Sequence, residues 1–434
     1  MKSTILFIGA GYTTICAYNK ICNSSEMVNK IKEGELELII ICDRKHHYFH
    51  GFTGDVIGGL IPEQAIYTPL KTIVPLANLI IGSVNVVSPY LKSVKYTGND
   101  GQSKEIKYDQ LVIGCGTVDK EEKNPENEHN TFTIKKQKGL TQFRKQLDTV
   151  LNNYKRQNEE NSNFEKEHIV LCGTGFTSIE MATNMQEYIS NTYGDIVNIT
   201  IVNTGDKILK EWQGKQSLLV KYTEKILRKK DIQILHHCSI QKTTSEGVIL
   251  SNGEFLKSQL IINATGQIPV QLQGLKHLTM NPENKIETNS FLNASGYTNI
   301  WSGGDIALVK KPFSKSNCPS NALWAIMQGS SIGKNIKRTI RNKKPHTFKF
   351  PGLGQTASYG KGKAALELYG IPFWGWTAYI IRLGFLFYFF PSKRRLLNIC
   401  WQSFKQNKGW NILFENQQNF EPEYRTYFEQ IKTN

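Results

Sequence analysis

The feature that most constrains the fold is a repeated pattern, in which an apolar strand runs directly into a glycine-rich turn. It occurs at residues 5–14 (ILFIGAGYTT) and again at residues 169–178 (IVLCGTGFTS). In each copy the first glycine forms a tight turn, and the second lets the backbone approach a phosphate at the N-terminus of the next helix. One imperfect copy is weak evidence, because Thr14 replaces a third glycine and predicts looser helix–strand packing. Two copies about 160 residues apart predict two dinucleotide-binding domains.

A further strand is predicted after each glycine turn. Residues 36–42 (LELIIIC) end at Asp43, whose carboxylate can bind the two ribose hydroxyls of an adenosine. Residues 199–202 (ITIV) end at Asn203, whose amide can hydrogen-bond a ribose but lacks the charge that repels a 2′-phosphate. The second site therefore leaves the choice between NADH and NADPH open.

Length and charge restrict the class of protein. A chain of 434 residues predicts two or three domains, and a formal net charge of +16 indicates an anionic partner. That partner is a nucleic acid, an anionic membrane surface or a phosphate-rich ligand, but no nucleic-acid-binding module is recognisable. The eight cysteines show neither a C-x-x-C pair nor a zinc spacing, which predicts a reducing, intracellular compartment and no metal site. No signal peptide precedes the first strand, so secretion is not expected.

An apolar, aromatic run near the C-terminus bears on membrane association. Residues 373–390 carry one charge, Arg382, and lie between Pro372 and Pro391. The run is at the lower length limit for a membrane-spanning helix, and a central arginine costs about 2.5–3.5 kcal/mol on insertion. We therefore expect a surface-lying or partly buried helix.

A second C-terminal helix is predicted from residue 397. Leu397, Cys400, Trp401 and Phe404 follow helical spacing among basic residues. This pattern is typical of an amphipathic helix in an anionic headgroup layer. A core-packing helix, or a helix pair that forms a homodimer, is the alternative.

Several short motifs, taken in order, resemble the two-dinucleotide-binding-domain flavoprotein superfamily. They are Gly9 and Gly11, Asp43, Gly173 and Gly175, the Ala-Thr-Gly of residues 264–266, and Gly304 with Asp305. The resemblance implies an α/β fold with two Rossmann-like domains and a C-terminal amphipathic, membrane-associating region. It places FAD in residues 1–118 and 269–345, NAD(P)H in residues 119–268, and the membrane-associating region in residues 346–434.

The last 90 or so residues indicate one family within this superfamily. Residues 353–360, 370–376 and 391–395 look like the C-terminal region of type II NADH dehydrogenases, and residues 177–182 resemble that family's second glycine motif. The resemblance implies transfer of two electrons from NAD(P)H through FAD to a quinone, without proton pumping. It implies a peripheral enzyme on the cytoplasmic side of the cell membrane.

The same resemblance assigns the site residues. Glu180 is the catalytic candidate, near nicotinamide and quinone, where it relays a proton or aligns the nicotinamide. Leu323 and Met327 replace two family glutamines and predict a more apolar quinone pocket. The FAD candidates are Gly9, Gly11, Thr14, Asp43, Gly116, Gly304, Asp305 and Ala322. The NAD(P)H candidates are Gly173, Gly175, Asn203 and Gly266.

Two alternative functions stay open at the sequence level. Cys318 lies in the segment expected beside the flavin, so a sulfide:quinone-type oxidoreductase with a redox cysteine is one of them. The other is a nucleotide-sensing flavoprotein that has lost efficient electron transfer, which the altered quinone helix permits.

Overall fold

The computed structural model describes residues 2–120, 130–134, 137–160, 166–214, 216–393 and 395–397. The α-helices are α1 Tyr12–Cys22, α2 Ser25–Lys32, α3 Thr53–Ile57, α4 Leu70–Ile73, α5 Gln137–Glu160, α6 Phe176–Thr192, α7 Ser217–Lys229, α8 Ala322–Ile340 and α9 Gly375–Phe389. The first strands are β1 Ser3–Ile8, β2 Leu36–Cys42, β3 His46–Tyr48, β4 Tyr67–Pro69, β5 Asn78–Ser88, β6 Ser93–Gly98, β7 Ser103–Lys107, β8 Gln110–Ile113, β9 Thr117–Asp119, β10 Thr131–Phe132, β11 Glu167–Cys172 and β12 Val197–Val202. The later strands are β13 Ile232–Leu235, β14 Ile240–Thr243, β15 Gly247–Leu250, β16 Phe255–Lys257, β17 Leu260–Asn263, β18 Gln267–Pro269, β19 Ile286–Glu287, β20 Ile300–Ser302, β21 Ala307–Leu308, β22 Gly354–Ser358, β23 Ala364–Leu368 and β24 Ile371–Trp374.

The chain divides into two compact units. Unit 1 comprises the described residues up to Tyr48, together with Tyr67–Val118 and Gln267–Gly352. Unit 2 comprises Phe49–Ile66, Asp119–Gly266 and the described residues from Leu353 onward. The FAD and NAD(P)H domain boundaries drawn from the sequence stay a prediction.

Unit 1 is built on a seven-stranded sheet in the order β20-β8-β1-β2-β5-β6-β7. β1 pairs in parallel with β2 and β8, so the glycine turn after β1 lies at the carboxyl edge of neighbouring strands. The continuous apolar sequence of β1 suits a strand that is covered on both faces, and residues 5–7 are fully buried.

The glycines of α8 allow it to pack closely against α1. A Cβ at Gly329 would lie 2.3 Å from the Thr13 carbonyl oxygen, and one at Gly333 would lie 2.3 Å from that of Ala17.

The looser packing of helix on strand that was expected from Thr14 is wrong, because Thr14 is fully buried. Gly114 leaves room for it, since a Cβ there would lie 3.0 Å from Thr14 Oγ1.

Unit 2 repeats the parallel arrangement in a five-stranded sheet, β10-β17-β11-β12-β13. β11 pairs with β12 and β17, and the glycine turn after β11 leads into α6. A separate antiparallel sheet, β22-β23-β24, precedes α9 in the same unit. The predicted Rossmann-like repeat is therefore confirmed as an α/β fold.

The C-terminal apolar run is not a single helix, so its predicted bounds are wrong. Residues 371–374 form β24, because Tyr369 and Gly370 adopt positive φ angles of 51° and 84° and turn the chain back from β23. The helix starts only at Gly375. In the part of the chain that the structure describes, no helix combines the length and apolarity needed to cross a membrane.

The amphipathic helix predicted from residue 397 falls almost wholly on residues 398–434, outside the described residues. Its role at a membrane or in a homodimer therefore stays a prediction.

Candidate functional site

The first glycine turn in unit 1 has no room for a side chain at Gly9. Gly9 has a φ of +89°, and a Cβ on it would lie 2.6 Å from Cys115 Cα. The next glycine is more open, since the nearest atom to a Cβ on Gly11 would be the Gly114 carbonyl oxygen at 3.6 Å. Gly9 therefore sets the turn, while Gly11 leaves space for an approaching group.

The N-terminus of α1 fits an anion. Gly11 is the N-cap residue, no side chain caps the helix among the described residues, and its first turn contains no acidic residue. The first backbone N–H groups of a helix lack helical partners and carry partial positive charge. They are therefore available to the pyrophosphate of a dinucleotide such as FAD.

Two other FAD candidates of unit 1 lie at the ends of strands. Asp43 follows β2, is exposed, and has Oδ1 3.2 Å from Arg44 Nε. Gly116, after β8, has a φ of +72°, and a Cβ there would meet no atom within 4 Å. Both positions leave room for the sugar or base of a nucleotide.

His47 supports the glycine turn and was not singled out from the sequence. Its Nδ1 lies 3.2 Å from the Ala10 carbonyl oxygen, and its ring meets Tyr12 edge to face. Burial lowers the pKa of His47 to about 4, so the ring is neutral at physiological pH and Nδ1–H donates to Ala10. His47 lies in the short strand β3, and its sequence surroundings carry no motif that signals such a contact.

The Gly-Asp turn of unit 1 contacts α1 and α8. Gly304 has a φ of +75°, and a Cβ there would lie 2.7 Å from Thr13 Oγ1. Its N–H donates to Gln328 Oε1 at 2.7 Å, and Gln328 is buried. Asp305 follows, with Oδ2 3.5 Å from Thr117 Oγ1. Sequence reasoning assigned no role to Gln328, although an amide within an apolar helix is a usable signal.

The start of α8 is capped by a side chain. Asn321 caps the helix by accepting the Trp324 N–H on Oδ1 at 3.1 Å, and Ala322 is the first helical residue. Leu323 and Met327 lie four residues apart, so they share one face of α8, and both are partly exposed. This face offers apolar contacts rather than the polar contacts of two glutamines.

The second glycine turn, in unit 2, repeats the features of the first. Gly173 has a φ of +98°, and a Cβ there would lie 3.0 Å from the Ala264 carbonyl oxygen. Gly175 is the N-cap residue of α6. Within the described parts of the chain, no side chain caps this helix and no atom outside the glycine's own neighbourhood lies within 4 Å of its ideal Cβ position. Gly266, with a φ of +147°, is equally open. The turn therefore leads into a helix N-terminus whose backbone N–H groups suit an anionic group.

Asn203 is engaged by its own loop. It is 5% exposed, and its Oδ1 accepts hydrogen bonds from Thr174 Oγ1 and from the Gly205 N–H. Its Nδ2 donates to the carbonyl oxygens of Gly205 and Lys207 at 3.0 and 3.3 Å. The side chain predicted to bind ribose thus holds the glycine turn and the following loop together.

Glu180 lies in a buried charged cluster of unit 2. Its Oε1 accepts the Ser358 N–H at 2.7 Å and lies 3.6 Å from Arg382 Nη2. Arg382 forms hydrogen bonds with both carboxylate oxygens of Asp55, at 3.2 and 2.8 Å, and donates to the Gly51 carbonyl oxygen at 2.9 Å. The only charged residue of α9 is therefore neutralised within the protein.

Burial of the cluster shifts the pKa of Glu180 toward neutral pH. Burial raises the pKa of Glu180 to about 7, although the charge of Arg382 opposes that rise. A carboxyl group with this pKa is partly protonated at physiological pH and can donate or accept a proton. Neither Asp55 nor Ser358 was predicted from the sequence.

In the described part of the chain, the cysteines at positions 16, 22, 42, 115, 238 and 318 are free thiols. Cys318 is partly buried, and burial raises its pKa to about 11. A thiol with a raised pKa is a poor nucleophile at neutral pH, because the thiolate is the reactive form.

Comparison with known proteins places this geometry in a family. A family model described as pyridine nucleotide-disulphide oxidoreductase matches residues 2–329. The chain belongs to this family. A member of this kind is an oxidoreductase, which confirms the predicted enzyme class.

Relatives of this chain within the family have more specific names. A probable NADH dehydrogenase of Dictyostelium discoideum is 27% identical over 392 residues, and the match covers 83% of this chain and 82% of the relative. A type II NADH:quinone oxidoreductase of Staphylococcus aureus is 22% identical over 386 residues, and that match covers 86% of this chain and 92% of the relative. These names confirm the resemblance to type II NADH dehydrogenases.

A solved structure shares the fold. The structure of NDH2 from Plasmodium falciparum in complex with NADH has a TM-score of 0.77 at 14% identity. The match covers 93% of this chain and 98% of that chain.

Proposed function

We propose that the protein transfers two electrons from NAD(P)H through bound FAD to a quinone at a membrane surface, without pumping protons. The observation that carries the proposal is that both glycine turns lead into helices whose N-termini are capped by no side chain of the described residues. Such paired anion sites suit two dinucleotides, one resident and one exchanging. The family membership and the named relatives support the same chemistry.

The residues of unit 1 would hold the FAD. The α1 N-terminus after Gly11 would bind the pyrophosphate, Asp43 would bind the adenosine ribose, and Asp305 would contact the ribityl or pyrophosphate region. When bound, FAD supplies a two-electron carrier between nicotinamide and quinone. The N-terminal backbone N–H groups of α8, which starts at Ala322, would favour negative charge on a flavin ring bound beside them.

The residues of unit 2 would hold the nicotinamide nucleotide and handle protons. The α6 N-terminus after Gly175 would bind its pyrophosphate, and Gly266 leaves space beside it. Glu180 would supply one of the two protons that reduction of a quinone by two electrons consumes, and the hydride of the reduced nicotinamide provides the other together with both electrons. Leu323 and Met327 of unit 1 would offer an apolar surface to the quinone ring or tail.

Flavin reduction tests the first half of the proposal. Stopped-flow mixing of the FAD-loaded protein with NADH is expected to bleach the flavin absorption, because hydride transfer removes the oxidised chromophore. Adding a soluble quinone analogue is then expected to restore the absorption. Failure of NADH and NADPH alike to bleach the flavin would contradict the proposal. Bleaching without reoxidation by quinone would favour the nucleotide-sensing alternative.

The sulfide:quinone alternative is disfavoured by the described cysteines. That chemistry needs a redox-active thiol with a disulfide partner, whereas Cys318 is a free thiol with a raised pKa. The proposal therefore assigns Cys318 no redox role.

Membrane contact is proposed for the segment from β23 to α9. Large apolar side chains are exposed there, including Ile371 at 58%, Trp374 at 50%, Trp376 at 61% and Ile380 at 62%. Tryptophan favours the interface between headgroups and acyl chains, and exposed apolar clusters commonly mark interaction surfaces. We propose that these side chains enter an anionic membrane surface on its cytoplasmic side.

Vesicle binding tests the membrane contact. The double substitution Trp374→Ser and Ile380→Ser is expected to weaken co-sedimentation with anionic vesicles by about tenfold or more, because burying each large side chain contributes roughly 1.5–3 kcal/mol. Leu218→Ser, at another exposed apolar residue of unit 2, is the matched control. Equal binding of the double variant and the control would contradict this assignment.

A further inference from the structure

The loop after β12 determines what can lie beside the adenosine ribose of the second nucleotide. We propose that this loop accepts the 2′-phosphate of NADPH, so that the protein uses NADPH as well as NADH. The inference rests on the proposed function, since it concerns the nucleotide site of unit 2. It depends on three observations, made on Asn203, on Thr204 and on Lys210.

The first observation is that Asn203 has no free hydrogen-bonding group for a ribose. Its Oδ1 and Nδ2 are both used by the loop and the glycine turn, as described above. In addition, its Nδ2 lies 3.1 Å from His236 Nδ1. The residue at the strand end thus neither binds the two ribose hydroxyls as a carboxylate does nor repels a phosphate.

The second observation comes from the register of the two units. The Gly9 N–H donates to the Ile41 carbonyl oxygen, and the Gly173 N–H donates to that of Val202. Asp43 lies two residues beyond Ile41, and the residue two beyond Val202 is Thr204. The second unit therefore has an exposed, neutral hydroxyl where the first has a carboxylate.

The third observation is a lysine ammonium above the loop. Lys210 Nζ lies 3.5 Å from the position that a Cβ on Gly205 would take, and the Asn203 Oδ1 lies 3.9 Å from that position. Gly205 therefore leaves space in which the ammonium approaches the strand end. Lys210 is exposed, and among the described residues no carboxylate forms an ion pair with it.

These features of the loop after β12 are the opposite of those by which a nucleotide site discriminates against NADPH. A site selective for NADH places a carboxylate at the strand end, which binds the ribose hydroxyls and repels a 2′-phosphate. Here the strand end is neutral, and the Lys210 ammonium lies beside it, 3.5 Å from the position that a Cβ on Gly205 would take. An ammonium and a phosphate attract each other strongly through charge-assisted hydrogen bonds. Asp206 is the one acidic residue between Asn203 and Lys210, and Lys207 beside it balances its charge.

The test compares direct binding with flavin reduction. Titration calorimetry of the FAD-loaded protein is expected to give dissociation constants for NADP⁺ and NAD⁺ within about tenfold of each other, and both reduced nucleotides are expected to bleach the flavin. Lys210→Glu is expected to weaken NADP⁺ binding by about tenfold or more and NAD⁺ binding by less than about threefold. Lys210→Arg should retain NADP⁺ binding, because it keeps the positive charge.

A matched control separates a local effect from the net charge of the protein. Lys225→Glu changes the charge equally at an exposed position on α7 and is expected to leave both dissociation constants unchanged. The inference is overturned if NADH bleaches the flavin while NADP⁺ binding is too weak to detect, or if Lys210→Glu and Lys225→Glu affect NADP⁺ equally. Either result leaves the proposed function intact. If neither reduced nucleotide bleaches the flavin, the proposed function fails, and the inference fails with it.

Discussion

Replacing Glu180 by Gln is expected to slow the reduction of a soluble quinone analogue by about 10²-fold at pH 7. The amide keeps an oxygen that can accept the Ser358 N–H, which Glu180 accepts at 2.7 Å, so the fold of the cluster is retained. It removes the proton that a carboxylic acid would donate. Reduction of the flavin by NADH, measured by stopped flow, is expected to change by less than about threefold, because hydride transfer needs no proton from this group.

The pH profile gives a second readout of the same substitution. Burial raises the pKa of Glu180 to about 7, so the protonated form predominates below pH 7 and is lost above it. Quinone reduction by the unsubstituted protein is therefore expected to fall as the pH rises through about 7. The Gln variant should be slow and flat over this range. Glu224→Gln, on the surface of α7, makes the same chemical change outside the cluster and should keep the wild-type profile. A pH step that persists in the Glu180 variant would assign the proton to another group.

Local patterns were sufficient to predict the parallel sheets and their turns. The strand predicted at residues 36–42 is β2, Leu36–Cys42, without adjustment, and both glycine turns follow the predicted strands. These features are encoded by residues that are close in sequence, since apolar runs form strands and glycines permit positive φ angles. The two helix starts that follow the glycine turns, at Gly11 and Gly175, were predictable for the same reason.

The charged cluster around Glu180 was not predictable from such patterns. Asp55 and Arg382 are 327 residues apart, and no recognisable sequence motif surrounds either position. From the sequence, Arg382 was only a costly charge in an apolar run. For Asn203, the sequence predicts the position at a strand end but not the hydrogen bonds of its amide. Those hydrogen bonds depend on how residues 203–209 fold back onto Thr174.

The second large effect is expected at Arg382. Its guanidinium and the Asp55 carboxylate are 2% and 1% exposed, and removing one partner of a buried pair leaves an uncompensated charge. Arg382→Met is therefore expected to lower the free energy of unfolding by about 3–5 kcal/mol, measured by denaturant titration. Arg382→Lys keeps a charge but loses the two-point contact, so a smaller loss is expected. The double variant Arg382→Met, Asp55→Asn removes both charges and should recover much of the stability, because the cost comes from the unpaired carboxylate.

The same variant tests whether Arg382 only holds α9 in place or also sets the pKa of Glu180. Arg382 Nη2 lies 3.6 Å from Glu180 Oε1, and its charge lowers a pKa that burial raises. Without this charge the pKa of Glu180 should rise further, so the fall in quinone reduction should move to a pH above 7 in Arg382→Met. The double variant also lacks Asp55, whose charge raises the pKa of Glu180, and its pH step should therefore lie between those of Arg382→Met and the unsubstituted protein. A loss of stability with no movement of the pH step would mean that Arg382 holds α9 in place without setting the proton affinity of Glu180.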